Sequence, residues 1–561
     1  MRKSITITAR KLNGLLGPSP LHLFTSSPLQ PRRPPLSLIL LSLTLLTIPG
    51  CVFHRVRTDA QTLRVPLSTE PTTLDPAMVE DGPTIDVLMH LYDGLVKWNE
   101  QNVVAPSLAE RWEVSPDGLA YTFHLRHGAR FQSGREVTAE DFRYSLNRCL
   151  SPALMSPVGG VYLNDILGSA EVLAGKAKEC RGIEVLDRYT LRLRLDRPKA
   201  YFIGKLTYPT AYVVDRDVVR RYGEKWPEHG AGTGPFRLVK RVFGSSLTLE
   251  ANPGYFGGKP KLQRIERPIV MDTATRHIKY ESGEMDMTDV SMGDYDRDKM
   301  NPALARELHQ YPRASVFYAS MSSKVFPPFR DKRVRQAMNL AVDKDTLIRV
   351  VMGGLPQRAD GILPPGLPGY DPHFVGLRYD VRRARQLLAE AGYPGGRGFP
   401  PLTLTFRERQ QDMRRFAQVL AAMYKQNLGI EVRLKEMEWA TFLAERNRGK
   451  LAFSYMRWMA DYLDPQNFLS LLLHSKSSEN RIGYNNPEFD RLCDEADGMV
   501  DAKKRLVLYQ QAERIAVDDA YWIPLYFQKD VELWRGNVHG VTNTLFGHLP
   551  HVGTYLSKAG S

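Results

Sequence analysis

Residues 108–148 read LAERWEVSPDGLAYTFHLRHGARFQSGREVTAEDFRYSLNR. Within them a half-buried strand is predicted by apolar residues at every second position, namely Tyr121, Phe123 and Leu125. Pro116-Asp117-Gly118, just before this strand, predicts a hairpin turn. Thr138 predicts the start of a helix, because a threonine side chain can cap a first turn and acidic residues follow it. The stretch therefore predicts a small module of strands and one helix.

The order of residues in this stretch also carries a family resemblance. It closely resembles the signature of the peptide/nickel class, family 5, of bacterial ABC-transporter solute-binding proteins. The matching positions are spread over about forty residues, so the resemblance does not depend on one short motif. They are Ala109, Trp112, Asp117-Gly118, Tyr121, Phe123, Leu125-Arg126, Phe131, Gly134, Ala139 and Asp141. Further blocks follow in family order at 73–76, 91–95, 232–236, 252–256, 280–286 and 331–337. Within this class, the sequence is most similar to the oligopeptide-binding branch, chiefly in residues 282–288 and 439–465.

Strands and helices alternate along the chain, which predicts an α/β fold. Leu402–Phe406, Asp412–Asn427 and Ile430–Leu434 have the pattern of a β-α-β unit, so a parallel strand pair is expected there. The resemblance implies a two-lobed fold similar to type II periplasmic binding proteins, with an extra α+β subdomain and a ligand held between the lobes. The implied boundaries are 60–82, 208–318 and 531–556 for lobe I, 83–207 for the accessory subdomain, and 319–530 for lobe II.

The first fifty residues have the composition of an export segment. They contain six Lys or Arg and no acidic residue, and Leu36–Ile48 is apolar or small throughout, which is the length of a signal-peptide core. Ile48-Pro49-Gly50-Cys51 resembles a bacterial lipobox, which implies lipidation of Cys51 and a periplasmic or otherwise extracytoplasmic protein anchored to a membrane. Pro49 is unusual at its position, and a plain secretory signal is the alternative.

The remaining composition is that of an ordinary globular protein. The chain of 561 residues is 43% hydrophobic and 25% charged, and its net charge of +14 falls to +8 without residues 1–50. The basic residues are spread along the chain, so nucleic acid is not an expected partner. A monomer is also expected. Neither CxxC nor HExxH occurs and the 13 histidines are scattered, so we expect no metal site and no cofactor.

Two of the four cysteines have two possible states. Cys149 and Cys180 fall in the same predicted subdomain, and export favours a disulfide between them. The alternative is a pair of buried thiols, because sequence gives no distance between them. Cys493 lies on an apolar helix face and is expected to be a core thiol.

The segment Trp458-Met459-Ala460-Asp461-Tyr462 is the candidate ligand site. The resemblance implies that Asp461 receives the α-amino group of a bound peptide. The chemistry is consistent, because an ammonium group in a closed cleft needs an ionised partner. The alternative is a structural role for Asp461 as a turn residue or a helix cap.

The strand that leads into this segment has an implied role of its own. Relatives pair the ligand as an added strand, which places Phe453–Met459 beside the peptide backbone. Trp458, Met459 and Trp439 would then line pockets or cover the ligand. For Trp439, simple core packing is the alternative.

The other end of the ligand is less defined. Tyr455 stands where relatives carry a basic residue, and Arg457 lies on the same face two residues later. Arg457 either replaces the missing contact or is a solvent-exposed arginine. Glu70 matches an acidic cleft position of the oligopeptide branch, and its alternative is a surface loop residue.

The sequence thus predicts the peptide-capturing component of an importer that delivers its ligand to ABC permease and ATPase subunits. An exported hydrolase is not supported, because no GxSxG, HExxH or Cys/His signature occurs. Within the same fold, an opine, a sugar, haem or a nickel complex is an alternative ligand. A receptor that presents its ligand to a membrane sensor is an alternative role.

Overall fold

The computed structural model describes residues 61–558. Four sheets of three or more strands organise them. The accessory sheet has the order Ala109–Val114, Ala120–Leu125, Thr190–Arg194, Ile183–Asp187. The N-terminal sheet has the order Thr62–Arg64, Arg264–Pro268, Ser246–Ala251, Phe236–Val242. The central sheet has the order Gln357–Arg358, Trp522–Phe527, Ser315–Met321, Phe453–Met459, Leu402–Arg407, Val432–Met437. The small sheet has the order Met287–Asp289, Lys529–Trp534, Leu308–Pro312.

Helices and two-stranded ribbons complete the described part of the chain. The α-helices are Gly82–Leu91, Ala139–Leu150, Gly159–Tyr162, Ser169–Leu173, Phe202–Lys205, Arg216–Tyr222, Thr273–Glu281, Met292–Met300, Pro302–Ala305, Lys332–Leu340, Lys344–Val351, Val381–Glu390, Gln411–Leu428, Trp439–Asn447, Ser470–Leu473, Pro487–Gly498 and Ala502–Asp519. The 3-10 turns are Pro76–Met78, Pro209–Ala211, Gly223–Glu228, Pro327–Arg330, Pro394–Gly396 and Pro465–Asn467. The ribbons pair Val96–Trp98 with Val104–Pro106, Val538–His539 with Tyr555–Leu556, and Asn543–Thr544 with Gly547–His548.

Residues 108–148 fold as their sequence pattern predicts. Ala109–Val114 and Ala120–Leu125 form an antiparallel hairpin, and Tyr121, Phe123 and Leu125 are the buried positions of its second strand. Gly118 has a φ of 70° in the turn, a conformation that a residue without a Cβ adopts at low cost. The helix Ala139–Leu150 begins where Thr138 predicts it, and the Asp141 carboxylate accepts the Thr138 N–H at 2.9 Å.

The central sheet confirms the predicted β-α-β unit. Leu402–Arg407 and Val432–Met437 pair in parallel, and the helix Gln411–Leu428 connects them. This helix ends at Gly429, whose φ of 71° suits the left-handed cap. A buried core surrounds this sheet, and a separate core packs against the accessory sheet. A third core joins the N-terminal sheet to the helix pair Pro487–Gly498 and Ala502–Asp519.

Two implied lobe boundaries fall inside strands. The boundary at 318 divides Ser315–Met321, and the boundary at 531 divides Lys529–Trp534. A third, at 82, falls at the first residue of the helix Gly82–Leu91. No turn interrupts the chain at 318 or 531, and the lobe boundaries stay predictions.

The structure describes three of the four cysteines, but not the predicted export segment. Cys149 and Cys180 are free, buried thiols, so the thiol alternative holds in this structure and the disulfide does not. The Cys180 thiol donates to the Leu167 carbonyl, while Cys149 lies 3.7 Å from the Ser156 hydroxyl. Cys493 is buried in the core as predicted. The export segment and Cys51 lie outside the described residues, and no helix within 61–558 is long and apolar enough to span a bilayer.

Candidate functional site

A cavity of about 600 Å³ adjoins the edge of the strand Phe453–Met459. Its walls come from the N-terminal, central and small sheets, from the start of the helix Gly82–Leu91, from the helix Trp439–Asn447, and from the segments around Tyr162 and Tyr208. Every residue from Tyr455 to Asp461 lines it, and none from 108–148 does. The stretch that identifies the fold therefore takes no part in the wall of this cavity.

One edge of the strand Phe453–Met459 is fully paired and the other is not. On one side it pairs with Ser315–Met321 over its whole length. On the other side its ladder with Leu402–Arg407 includes only Phe453 and Ser454. Beyond Ser454 these two strands diverge, and the cavity begins there.

The free edge presents backbone groups at alternate residues. Ala460 donates its N–H to the Ala314 carbonyl at 2.8 Å, so residues in the same phase, Met456 and Trp458, turn their backbone groups toward Ser315–Met321. The N–H and C=O groups of Tyr455, Arg457 and Met459 therefore point the other way, toward the cavity. An extended chain placed there can pair with them as an added strand.

Asp461 ends this strand with a carboxylate that has only neutral partners. Its Oδ2 accepts the Tyr162 hydroxyl at 2.6 Å and the Asn467 amide at 3.1 Å. The Asn467 carbonyl oxygen in turn accepts the Asp461 N–H and the Trp458 indole N–H, both at 3.1 Å. No Lys, Arg or His among the described residues forms a salt bridge with Asp461. The side chain is thus held in place, while its charge is left without a counter-ion.

The electrostatics of Asp461 reflect this arrangement. Burial raises its pKa to about 6, and the hydrogen bonds from Tyr162 and Asn467 offset only part of that rise. Nearby Glu479 raises it further, although Glu479 itself is paired with Arg446 at 3.1 Å and Arg481 at 3.0 Å. A cation brought into the cavity beside Asp461 would lower this pKa and stabilise the ionised carboxylate.

Glu80 adds to the negative character of this end. It lines the same cavity, and its carboxylate accepts the Asn447 amide at 2.7 Å. Burial raises the pKa of Glu80, an effect that this hydrogen bond opposes. Three carboxylates, those of Asp461, Glu479 and Glu80, therefore face two guanidinium groups, those of Arg446 and Arg481.

Sequence reasoning did not find the aromatic support of Asp461. Tyr162 comes from the short helix Gly159–Tyr162 in the predicted accessory subdomain, 299 residues before Asp461. Its ring stacks on Tyr208 with centroids 3.8 Å apart and planes 7° from parallel. Neither tyrosine nor Asn467 belongs to a motif that relates it to Asp461. Only the folded chain brings them together.

Tyr455 and Arg457 lie on the same face of the central sheet, and both already have partners. Tyr455 is fully buried, and its hydroxyl lies 2.7 Å from the Tyr526 hydroxyl. Arg457 lies 3.4 Å from Asp530, which also binds Arg313 at 2.6 Å. Burial acts to raise the pKa of Asp530, but the two arginines outweigh it, so the pKa is lowered. Arg457 is therefore neither solvent-exposed nor free of a counter-ion.

Arg407 is a cavity residue that the sequence did not single out. It ends the strand Leu402–Arg407, where this strand departs from Phe453–Met459. Its guanidinium donates to the Ser68 carbonyl at 3.0 Å and lies 5.1 Å from the centre of the Trp439 ring. Burial lowers the pKa of Arg407 to about 10, and nearby carboxylates offset this only in part. It forms no salt bridge within residues 61–558.

Three of the remaining predicted site residues line the cavity, and the fourth does not. Trp458, Met459 and Trp439 line the cavity, and Trp439 also packs against Phe442. Glu70 does not line it. Instead its carboxylate binds Arg241 at 2.6 Å and accepts the Gly244 N–H, which is a structural role in a loop.

Comparison with known proteins agrees with this architecture. The family model described as bacterial extracellular solute-binding proteins, family 5 Middle, matches residues 103–480. The probable deoxycholate-binding periplasmic protein of Escherichia coli is 33% identical over 86% of this chain and 90% of its own length. The periplasmic oligopeptide-binding protein of the same organism is 32% identical with the same coverage.

Solved structures give the same result for the fold. The murein tripeptide binding protein of Escherichia coli superposes with a TM-score of 0.81 and 28% identity, covering 89% of this chain and 99% of that one. The oligopeptide-binding protein of Haemophilus influenzae, in complex with the peptide RPPGFSPFR, gives 0.80 and 26% with the same coverage. The chain therefore belongs to family 5 of the bacterial extracellular solute-binding proteins, a family of transport proteins with the two-lobed fold of type II periplasmic binding proteins.

Proposed function

We propose that this protein captures short peptides with a free amino terminus and delivers them to an ABC importer. The observation that carries the proposal is Asp461, a half-buried carboxylate in the cavity that is oriented by Tyr162 and Asn467 and forms no salt bridge within the described residues. A buried charge without a partner is costly, so a ligand ammonium group is the natural complement.

The free strand edge supports a peptide as the bearer of that ammonium group. Backbone groups of Tyr455, Arg457 and Met459 point into the cavity next to Asp461. Pairing through the main chain does not depend on the ligand's side chains, which suits a carrier of varied sequences. Trp458 and Met459 then provide apolar contacts for those side chains.

The alternative ligands fit this end of the cavity less well. Bile acids and haem carry carboxylates and no ammonium group, so they would bring like charge to Asp461. Nickel would need a cluster of ligating side chains, and the described residues contain no group of three or more His, Cys, Asp or Glu placed to hold a metal. A peptide is thus the ligand class that the cavity supports best.

The partners and the location follow from the transport role. The protein would act outside the cytoplasm as a monomer and present its ligand to permease and ATPase subunits. Lipidation of Cys51 would hold it at the membrane surface, since one short acyl chain alone anchors only weakly but several chains anchor firmly. Intact-mass measurement of the membrane fraction, compared with a Cys51→Ser variant, tests the anchor.

Identification of co-purified ligands tests the proposed function directly. The protein is purified without denaturation, and the released small molecules are identified by mass spectrometry. We expect peptides with unmodified amino termini. A bile acid, a haem or a sugar found instead of peptides would contradict the proposal.

A further inference from the structure

The segment that leads toward Cys51 joins the N-terminal sheet at one end of its first strand. Gln61 precedes Thr62–Arg64, and its side-chain amide donates to the Leu556 carbonyl at 2.8 Å. From there the chain continues in extended pairing to a bridge between Leu67 and Ile269, and Val65–Ser68 lines the cavity. At ~3.3 Å per residue, Ser68 lies roughly 23 Å from Gln61. The attachment point of the N-terminal segment and the cavity are therefore at opposite ends of this extended segment.

Basic side chains surround Gln61. Strand register places Arg264 beside Thr62, Glu250 beside Arg264, and Arg237 beside Glu250. Lys261 joins them, because its N–H donates to the Val552 carbonyl and the next residue but one, Gln263, donates to the Gln61 carbonyl. We name this surface the exit face and define it by six residues, Arg237, Lys259, Lys261, Arg264, Tyr555 and Lys558.

The positive charge of the exit face exceeds the negative charge placed beside it. Glu250 is the acidic residue within it, and its carboxylate lies 3.0 Å from Arg264 and 3.8 Å from Arg237. Lys259 and Lys261 are exposed and form no salt bridge within residues 61–558. One carboxylate is thus shared by two arginines, while two lysines carry charge that the described protein does not pair.

Tyr555 gives the exit face an aromatic centre. Its side chain is 38% exposed, and the Lys261 ammonium group lies 4.8 Å from the centre of its ring. Tyrosine and lysine are residue types that suit the headgroup region of a bilayer, because each combines an apolar body with a polar end. The composition of this surface therefore matches that of a lipid–water interface.

The length of the connecting segment restricts which surface can stay near the bilayer. Nine residues separate Cys51 from Gln61, so the two Cα atoms are at most about 36 Å apart. This segment contains Arg55 and Arg57 and one acidic residue, Asp59. Charges attract an anionic surface only within about 8 Å at physiological salt. A lipid at Cys51 would hold the exit face close enough for such encounters to recur.

We propose that the exit face docks on an anionic lipid surface and forms a second membrane contact beside the lipid at Cys51. This inference rests on the membrane location given under the proposed function. Several basic side chains are needed, because each one contributes only modestly to binding at an anionic surface. The cavity stays clear of the lipid in this position, since it adjoins the other end of the segment from Gln61 to Ser68.

Vesicle sedimentation tests the lipid contact. The protein is the mature chain from residue 51 with Cys51→Ser, so that binding reports the exit face and not an acyl chain. Vesicles of phosphatidylcholine are compared with vesicles that contain about one-third phosphatidylglycerol. We expect about tenfold stronger partitioning onto the anionic vesicles, and most of this preference should be lost when the salt is raised from ~0.1 M to ~0.5 M.

Two double variants with the same change in net charge locate the contact. Lys259→Gln with Lys261→Gln should lose about tenfold in partitioning onto anionic vesicles. Arg433→Gln with Lys435→Gln is the matched control, because both residues are exposed on the edge strand Val432–Met437 of the central sheet, and it should bind as the wild type does. Circular dichroism confirms that each variant is folded.

Three results would overturn the inference: equal partitioning onto both kinds of vesicle, equal losses in the two double variants, or no loss in Lys259→Gln with Lys261→Gln. Impaired peptide uptake by cells carrying that variant, with unchanged vesicle binding, would also overturn it, because the exit face would then contact a protein. Failure of the proposed function gives a different result. In that case the wild type binds no peptide in solution, whatever its partitioning onto vesicles.

Discussion

The two ends of the cavity differ in how the protein treats charge. At the Asp461 end, neutral groups from Tyr162 and Asn467 orient a carboxylate and leave its charge uncompensated. At the far end, Arg457 and Arg313 both pair with Asp530, and Arg313 also lies 3.6 Å from Glu532, so each of these arginines has an acidic partner within the protein. Arg407 is the exception there, because it faces a carbonyl and an aromatic ring. A charged side chain in a cleft therefore indicates a ligand contact only where the folded protein leaves it without an ionic partner.

The largest effect is expected from removing the charge of Asp461. Asp461→Asn preserves the acceptor for Tyr162 but not the ion pair with a ligand ammonium group, so the affinity for free tetrapeptides should fall by ~100-fold or more. Titration calorimetry measures the loss. Peptides with an acetylated amino terminus provide the control, because they should bind wild type and variant with similarly low affinity.

The affinity should also depend on pH through Asp461. In the free protein burial raises its pKa to about 6, and an ammonium ligand binds only the ionised form. Affinity should therefore be constant between pH 6.5 and 7.5 and fall about tenfold by pH 5, as the carboxylate takes up a proton. Glu479 stays ionised in this range, because Arg446 and Arg481 outweigh its burial and its pKa is lowered.

The same measurement on Asp461→Asn is the control for the pH dependence. Its acid limb should disappear, and a limb that persists would assign the titration to another group. Glu80, whose pKa burial also raises, faces the cavity and is the first alternative.

A smaller effect is expected from the hydroxyl of Tyr162. Tyr162→Phe removes the 2.6 Å hydrogen bond to Asp461, which raises the pKa of the carboxylate further. Affinity at neutral pH should fall by about fivefold, and the acid limb should move to higher pH. Tyr208→Phe is the matched control, since the Tyr208 hydroxyl donates to the Val79 carbonyl and not to Asp461. If both variants moved the limb equally, the ring stack and not the hydrogen bond would be responsible.

The smallest expected effect concerns stability and has the opposite sign. The pKa of Asp461 is raised in the folded state, so its ionisation destabilises the free protein as pH rises from ~4 through about 6. Asp461→Asn should therefore raise the unfolding temperature of the ligand-free protein at pH 7 by ~2–4 °C. Differential scanning calorimetry checks this, and a lower unfolding temperature would mean that Asp461 has a structural role.

Much of the fold was predictable because it depends on local patterns. The alternation at Tyr121, Phe123 and Leu125 and the glycine in the turn before them act over a few residues. The β-α-β unit was equally visible, since a parallel pair needs a helix of that length between its strands. The lobe boundaries implied by the resemblance stay predictions, and two of them, at 318 and 531, lie within continuous strands that carry no turn signal.

The candidate site was predictable only where the family resemblance named a residue. Asp461 and its strand lie on the cavity, but Glu70 was expected in the cleft and instead pairs with Arg241. Tyr162 and Arg407 carried no signal, because their importance depends on contacts between distant segments. In sequence Arg407 and Arg457 are equally basic, and only their neighbours in the fold distinguish them.

A crystal structure of the protein with a bound tetrapeptide would show the proposed binding mode. We expect the peptide α-amino nitrogen within hydrogen-bond distance of the Asp461 carboxylate and the peptide backbone paired with Tyr455–Met459. A peptide in the reverse orientation, or one whose amino group contacts only Glu80 or Glu479, would contradict it.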